Sequence, residues 1–206
     1  MGEGQLPQDV RLKGGRVATV GFLTDRDGAR ELQGFINSFI REGSFLLYDR
    51  KTSLAEEMKW KKAKLADYRK GNGQVLIARI NGKIAGTSDA RREPFKGRDN
   101  VCLGIAIASD YRGLGLGEAL LRLNIESVRR RQKPRNIYLS VQSPNRPARA
   151  LYRKLGFREF AVFPKWLKQD GKYVDHIFMK LERYKERECL GDCFASKKRT
   201  RGASTN

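Results

Sequence analysis

Residues 100–157 constrain this chain more than any other stretch. They read in order as a buried strand, a glycine-rich turn, a helix, a second strand and a short capped helix. Residues 101–107 are apolar on both faces, the pattern of a central strand covered on both sides. Directly after comes the turn Arg112-Gly113-Leu114-Gly115-Leu116-Gly117-Glu118. Its glycines let the backbone approach an oxyanion closely, and the helix that opens there aims unpaired N–H groups at it, so the turn suits a pyrophosphate. Over 117–131, Leu120, Leu121, Leu123, Ile125 and Val128 give that helix a broad apolar face for a sheet. Residues 137–141 then predict a short parallel strand, and 145–157 a helix capped by Asn145 and ended by Gly156. The glycine spacing is not the G-x-G-x-x-G of a dinucleotide fold, and no Gly-Lys-Ser/Thr follows as in a nucleotidase phosphate loop.

The flanking chain supplies hairpins and two further helices. Gly14-Gly15, Asn81-Gly82 and Asp170-Gly171 each separate segments of strand character. Leu32, Phe35, Ile36, Phe39 and Ile40 fall at helical spacing after Thr24 and Asp25, either of which can cap, and before Gly43. Ser53-Leu54-Ala55-Glu56 is a capping box opening a helix that runs to about Lys70. Residues 158–163 and 173–181 predict a final antiparallel pair, with Pro164, Lys165 and Trp166 on the loop between them. The domain is expected over 10–182, after a flexible leader of residues 1–9 and before a basic, disordered tail of residues 183–206.

Charge is the outlying feature of composition. Lys and Arg number 43 against 23 Asp and Glu in 206 residues, a net +20 that attracts polyanions such as nucleic acid, acidic proteins or cofactor phosphates. No apolar run approaches the ~20 residues that span a bilayer, and the first residues lack the pattern of a signal peptide, so a cytoplasmic protein without membrane contact is expected. Cys189 and Cys193 lack a second ligand pair, and the chain has a single histidine, His176, so no metal is expected.

Arg112 through Gly117 matches the R/Q-x-x-G-x-G/A signature, and Asn145 through Phe157 the N-x-x-A-x-x-L-Y-x-x-x-G-F element, of the GNAT superfamily of acyl-CoA-dependent N-acetyltransferases, which the chain resembles over about residues 16–182. The resemblance implies an α/β fold of the α+β type: a mixed, mainly antiparallel twisted sheet with a splayed central parallel pair and about four flanking helices. It implies acetyl-CoA as co-substrate, its pyrophosphate on the amides of Gly113, Leu114, Gly115, Leu116, Gly117 and Glu118 beside Arg112. Its pantetheine arm would lie along Ile105, Ala106 and Ile107, and Asn145 would contact the cofactor. Tyr152 holds the position of the family's general acid, a phenol protonated at neutral pH that donates to the leaving thiolate.

The family often places a glutamate base where Cys102 stands here, which leaves a water chain, Asp89, Glu93 or Glu42 as candidates and His176 as a structural residue. The acceptor is expected to be a primary amine on a protein N-terminus or lysine. A small-molecule amine is the alternative within the enzyme class, and a cofactor-regulated nucleic-acid-binding module the alternative outside it. The sequence leaves a homodimer open.

Overall fold

The computed structural model describes residues 6–182, so the expectations for the tail, Cys189 and Cys193 lie outside the described residues. Eight strands form one sheet: β1 (Gln8–Arg11), β2 (Val17–Phe22), β3 (Gly73–Ile80), β4 (Lys83–Arg92), β5 (Asn100–Ile107), β6 (Asn136–Gln142), β7 (Phe157–Gln169) and β8 (Lys172–Leu181). Their spatial order is β1-β2-β3-β4-β5-β6-β8-β7. All neighbours are antiparallel except β5 and β6. Four α-helices flank the sheet: α1 (Ala29–Arg41), α2 (Leu54–Arg69), α3 (Leu116–Gln132) and α4 (Arg146–Lys154). This is the expected mixed sheet with its helices.

Local chemistry sets most boundaries. Asn81 (φ 50°) and Gly82 (φ 77°) make the left-handed pair of a tight hairpin turn between Ile80 and Lys83. Asp170 and Gly171 do the same between Gln169 and Lys172. Ser53 and Glu56 form the reciprocal capping box of α2. The start of α1 differs from expectation. Gly28 is its N-cap, while Thr24 bonds to the Asp27 carboxylate through both its amide and its hydroxyl. β1 begins at Gln8, inside the segment expected to be a leader, and Leu6 and Val10 pack on the core.

Residues 164–166 are not a loop. They lie within β7, whose register against β8 shifts between Phe163 and Leu167, with Lys165 at φ 52°. Because β7 is the sheet edge, Pro164 removes no ladder bond that the sheet requires, and a bulge absorbs the misfit.

Helices α3 and α4 cover one face of β5 and β6 through Val101, Leu103, Leu121, Ile125, Leu139, Val141, Tyr152 and Phe157. The apolar face of α3 also hides polar groups. Asn124 accepts from Gln74 Nε2 (2.7 Å) and donates to Ser88 Oγ (2.7 Å), which donates to Gly104 O (2.9 Å), while Ser127 donates to Gln74 Oε1 (3.2 Å). This chain fastens α3 to β3, β4 and β5. Breaking it would leave buried groups unpaired at about 1–3 kcal/mol each.

Candidate functional site

β5 and β6 pair only from Asn100/Asn136 to Leu103/Leu139. Beyond that, β5 follows β4 to Ile107 while β6 follows β8 to Gln142, so the two parallel strands splay and a gap opens. The alternation of the antiparallel ladder fixes which groups face it. Ala108 donates to Ala85 O (3.0 Å), which puts Ala106 and Gly104 on the β4 side and turns the N–H and C=O of Ile105 and Ile107 toward the gap. Ile107 O accepts from Arg112 Nε (2.9 Å); Ile105 has no such partner among the described residues.

The glycine turn closes the same end of β5. Gly113 (φ 75°) and Gly115 (φ 88°) have left-handed backbones with open space where a Cβ would stand. Gly117 needs its lack of side chain for packing, since a Cβ would meet Leu151 Cδ2 of α4 at 3.3 Å. Ala119 is the first amide of the helix to donate backward, to Gly115 O (3.1 Å). The amides of Gly113, Leu114, Gly115, Leu116, Gly117 and Glu118 have no acceptor among the described residues. This run of unspent donors at the positive end of a 17-residue helix fits a diphosphate. Lys13 N holds Leu114 O (3.1 Å), tying the turn to the β1–β2 connection.

Charges around the turn are arranged rather than loose. Arg112 pairs with Glu42, the C-cap of α1, and stacks over Phe39 with its guanidinium carbon 5.7 Å from the ring centroid. Burial pushes the Glu118 carboxyl up, but hydrogen bonds from Lys154 (2.6 Å) and Arg122 (3.1 Å) outweigh it, so the group stays ionised and paired.

Tyr152 lies on α4, which Asn145 caps through Ala148 N (3.2 Å). Its side chain is 6% exposed and shares a cluster with Leu103 and Leu139, the last paired residues before the gap, and with Ile105 and Val141 beyond them. Its hydroxyl has no hydrogen bond among the described residues, and burial pushes its pKa up to about 12. The resting phenol is therefore protonated near neutrality.

Cys102 faces Tyr138; burial raises its thiol despite that contact, so it offers no thiolate base. The candidate carboxylates are each engaged: Asp89 with Lys64 (3.2 Å), Glu93 with Tyr138 Oη (2.8 Å), and Glu42 with Arg112. Two buried polar residues, Gln142 and Glu57, carry no signal in the sequence. Gln142 ends β6 at the mouth of the gap and is 4% exposed. Glu57 is 6% exposed on α2, with burial raising its carboxyl. The capping box marks Glu56, while the pattern sets nothing apart at its neighbour Glu57. Among the described residues no cluster of His, Cys, Asp and Glu could hold a metal, and no helix is long and apolar enough to cross a membrane.

Residues 32–157 match the model of the Acetyltransferase (GNAT) family. An N-alpha-acetyltransferase of Sulfurisphaera tokodaii is 30% identical over 42% of this chain and 58% of the relative. The L-amino acid N-acetyltransferase AaaT of Escherichia coli is 34% identical over 50% of this chain and 65% of the relative. The matched stretch thus spans somewhat under two thirds of each. Among solved structures, a ribosomal-protein-alanine N-acetyltransferase from Brucella melitensis superposes with TM-score 0.69 at 25% identity, covering 78% of this chain and 97% of that one.

Proposed function

The chain belongs to the GNAT acetyltransferase family, and from that premise we propose that it moves an acetyl group from acetyl-CoA to a primary amine, first of all the α-amine of a protein N-terminus. The observation that carries the reading is the junction of the unspent amides of residues 113–118 with the gap beside Ile105 and Ile107. One anchors a diphosphate, and the other is a free strand edge of the right length for an extended arm.

Acetyl-CoA would supply an activated acyl group with a thiolate leaving group. The chain does the rest. The amides of Gly113 through Glu118 hold the diphosphate, with Arg112 beside it, and Asn145 contacts the cofactor. Ile105 and Ile107 align the arm by backbone hydrogen bonds, and an N–H on this edge polarises the acyl carbonyl. Tyr152 keeps its proton at neutral pH and hands it to the departing sulfur, and the proton that the amine nitrogen sheds on becoming an amide restores the phenol through water.

Two features support the α-amine. An α-amino group has a pKa of ~7.7–8.0 against ~10.4 for a lysine, so more of it is neutral where Cys102 supplies no strong base. The relatives named as N-alpha-acetyltransferases and the ribosomal-protein-alanine enzyme point the same way. The amino-acid relative from Escherichia coli keeps a free small amine as the second reading.

Thiol release from acetyl-CoA, followed over a panel of peptides, N-acetylated peptides, amino acids and polyamines, tests the proposal. Release with free-amine peptides that stops when their N-termini are blocked is the expected result. Selective turnover of amino acids or polyamines would overturn the peptide assignment, and no release with any amine would overturn acetyl transfer.

A further inference from the structure

The glycine turn takes up one end of β5. At the other end, where residues 93–99 lead in from β4, cations gather that the proposed chemistry does not use. Hydrogen bonds draw three segments together there. The Arg92 guanidinium donates to Arg98 O (3.0 Å) and to Gln132 O, fastening residues 93–99 to the last turn of α3. Arg135 N donates to Asp99 O (2.7 Å), which seats the connection from α3 to β6 on the same loop. Residues 93–99 and 129–135 hold seven Lys and Arg against two Asp and Glu. All of these cations are exposed. Of the two acids, Glu93 is half-buried and accepts from Tyr138 Oη (2.8 Å), while Asp99 is exposed. The negative end of the α3 dipole accounts for Arg129, Arg130 and Arg131. It does not account for Lys96, Arg98 or Arg135, which lie on the connections.

Phe95 stands among these charges. At 87% exposed it is the most exposed large apolar side chain among the described residues, and its ring stacks on none of them. Its backbone is left-handed (φ 52°), a conformation that glycine or asparagine adopts readily and a bulky residue only under strain. A glycine would make the same turn without strain and without placing an aromatic ring in water, so the position calls for the ring itself. The turn that presents it is well fastened. Gly97 N and Arg98 N donate back to Pro94 O (3.0 Å) and Phe95 O (3.2 Å), Asn100 Nδ2 donates to Gly97 O (3.0 Å), and Glu93 N donates to Asn100 O (2.9 Å).

We propose that this end of the sheet binds single-stranded nucleic acid, with a base stacked on Phe95 and the adjoining phosphates on Lys96, Arg98 and Arg135. Cations alone would suit any polyanion, and the bare ring among them narrows the choice. A base offers a flat face that is free only when the strand is unpaired, and stacking on an exposed aromatic tolerates any sequence. An acidic peptide carries the charge but no such face. Because the surface lies at the far end of β5 from the glycine turn, nucleic acid and acetyl-CoA bind together. The inference stands whether or not the chain transfers acetyl groups.

Anisotropy of a fluorescent oligouridylate mixed with the full chain, at several salt concentrations and with or without excess coenzyme A, tests the surface. The expected result is saturable binding that coenzyme A leaves unchanged and that an RNA duplex of the same length does not match. Phe95→Ala should weaken it about tenfold, and Phe95→Trp should keep it. Replacing Lys96 and Arg98 together by glutamine should flatten the slope of log Kd against log salt by about 1.4, two phosphate contacts at about 0.7 each. Phe95→Gly removes the strain along with the ring, so it should bind as weakly as Phe95→Ala yet melt no lower than wild type.

Oligouridylate binding that ignores Phe95→Ala would be adsorption of a polyanion and would overturn the site. Displacement by coenzyme A would overturn it too, by putting the strand on the glycine turn. Duplex bound as tightly as single strand would remove the stacked base, and oligoglutamate bound equally, with the same loss in Phe95→Ala, would give the surface to an acidic protein. A Phe95→Gly chain that melts well below wild type would make the ring a structural group.

Discussion

Replacing Tyr152 by phenylalanine is expected to lower turnover by about a hundredfold, the order lost with a positioned proton donor, while acetyl-CoA affinity and thermal stability stay close to wild type. The substitution deletes a hydroxyl that has no hydrogen bond among the described residues, so no buried partner is stranded. The ring remains among Leu139, Val141, Leu155 and Phe157. A fall in kcat with unchanged cofactor binding is the signature of an interaction made only in the transition state. Steady-state kinetics beside calorimetric titration of acetyl-CoA separate the two quantities. Turnover equal to wild type would pass the proton role from Tyr152 to water.

Gly115→Val is expected to weaken acetyl-CoA binding by about a hundredfold. Gly115 stands at φ 88° as the N-cap of α3, a backbone that a β-branched residue adopts only at a cost of about 1–2 kcal/mol. The turn would rotate to relieve that strain, and amides that meet a charged phosphate are worth about 1.5–3 kcal/mol each. The space around Gly115 is open, so the substitution reaches the ligand site without touching the core. Calorimetry reads the affinity and a thermal melt confirms that α3 still packs. Wild-type affinity in this variant would remove the glycine turn from the binding site.

These effects could be argued from sequence because backbone conformation at glycine is local. The Gly113–Gly117 turn, the Asn81-Gly82 and Asp170-Gly171 hairpins and the Ser53–Glu56 box each state their geometry within a few residues, and the structure has all of them. The strand splay followed from the resemblance and is seen in the pairing that stops at Leu103 and Leu139.

What escaped depends on neighbours far along the chain. Asn124 and Ser127 sit on a helix face that reads as apolar, and only the arrival of Gln74 and Ser88 makes them buried partners. Pro164 reads as a strand breaker, but it is tolerated because β7 is an edge, and edge position is a property of the whole sheet. His176 reads as an ordinary strand residue until β6 and β8 pair and set Gln142 opposite it, each with a buried polar atom unpaired. The absent glutamate at Cys102 was legible, whereas the unpaired buried atoms of Gln142 and His176 were not, since an orphaned atom has no sequence signature.

Backbone amide spectra of the isotope-labelled chain, recorded while acetyl-CoA is added, test the central claim most directly. The amides of Gly113 through Glu118 should move first and most, with those of Ile105 and Ile107 following the arm into the gap and residues 93–99, at the opposite end of β5, unchanged. Shifts confined to other surfaces, or no saturable shift at all, would contradict the assignment of the glycine turn and the splayed strands as the acetyl-CoA site.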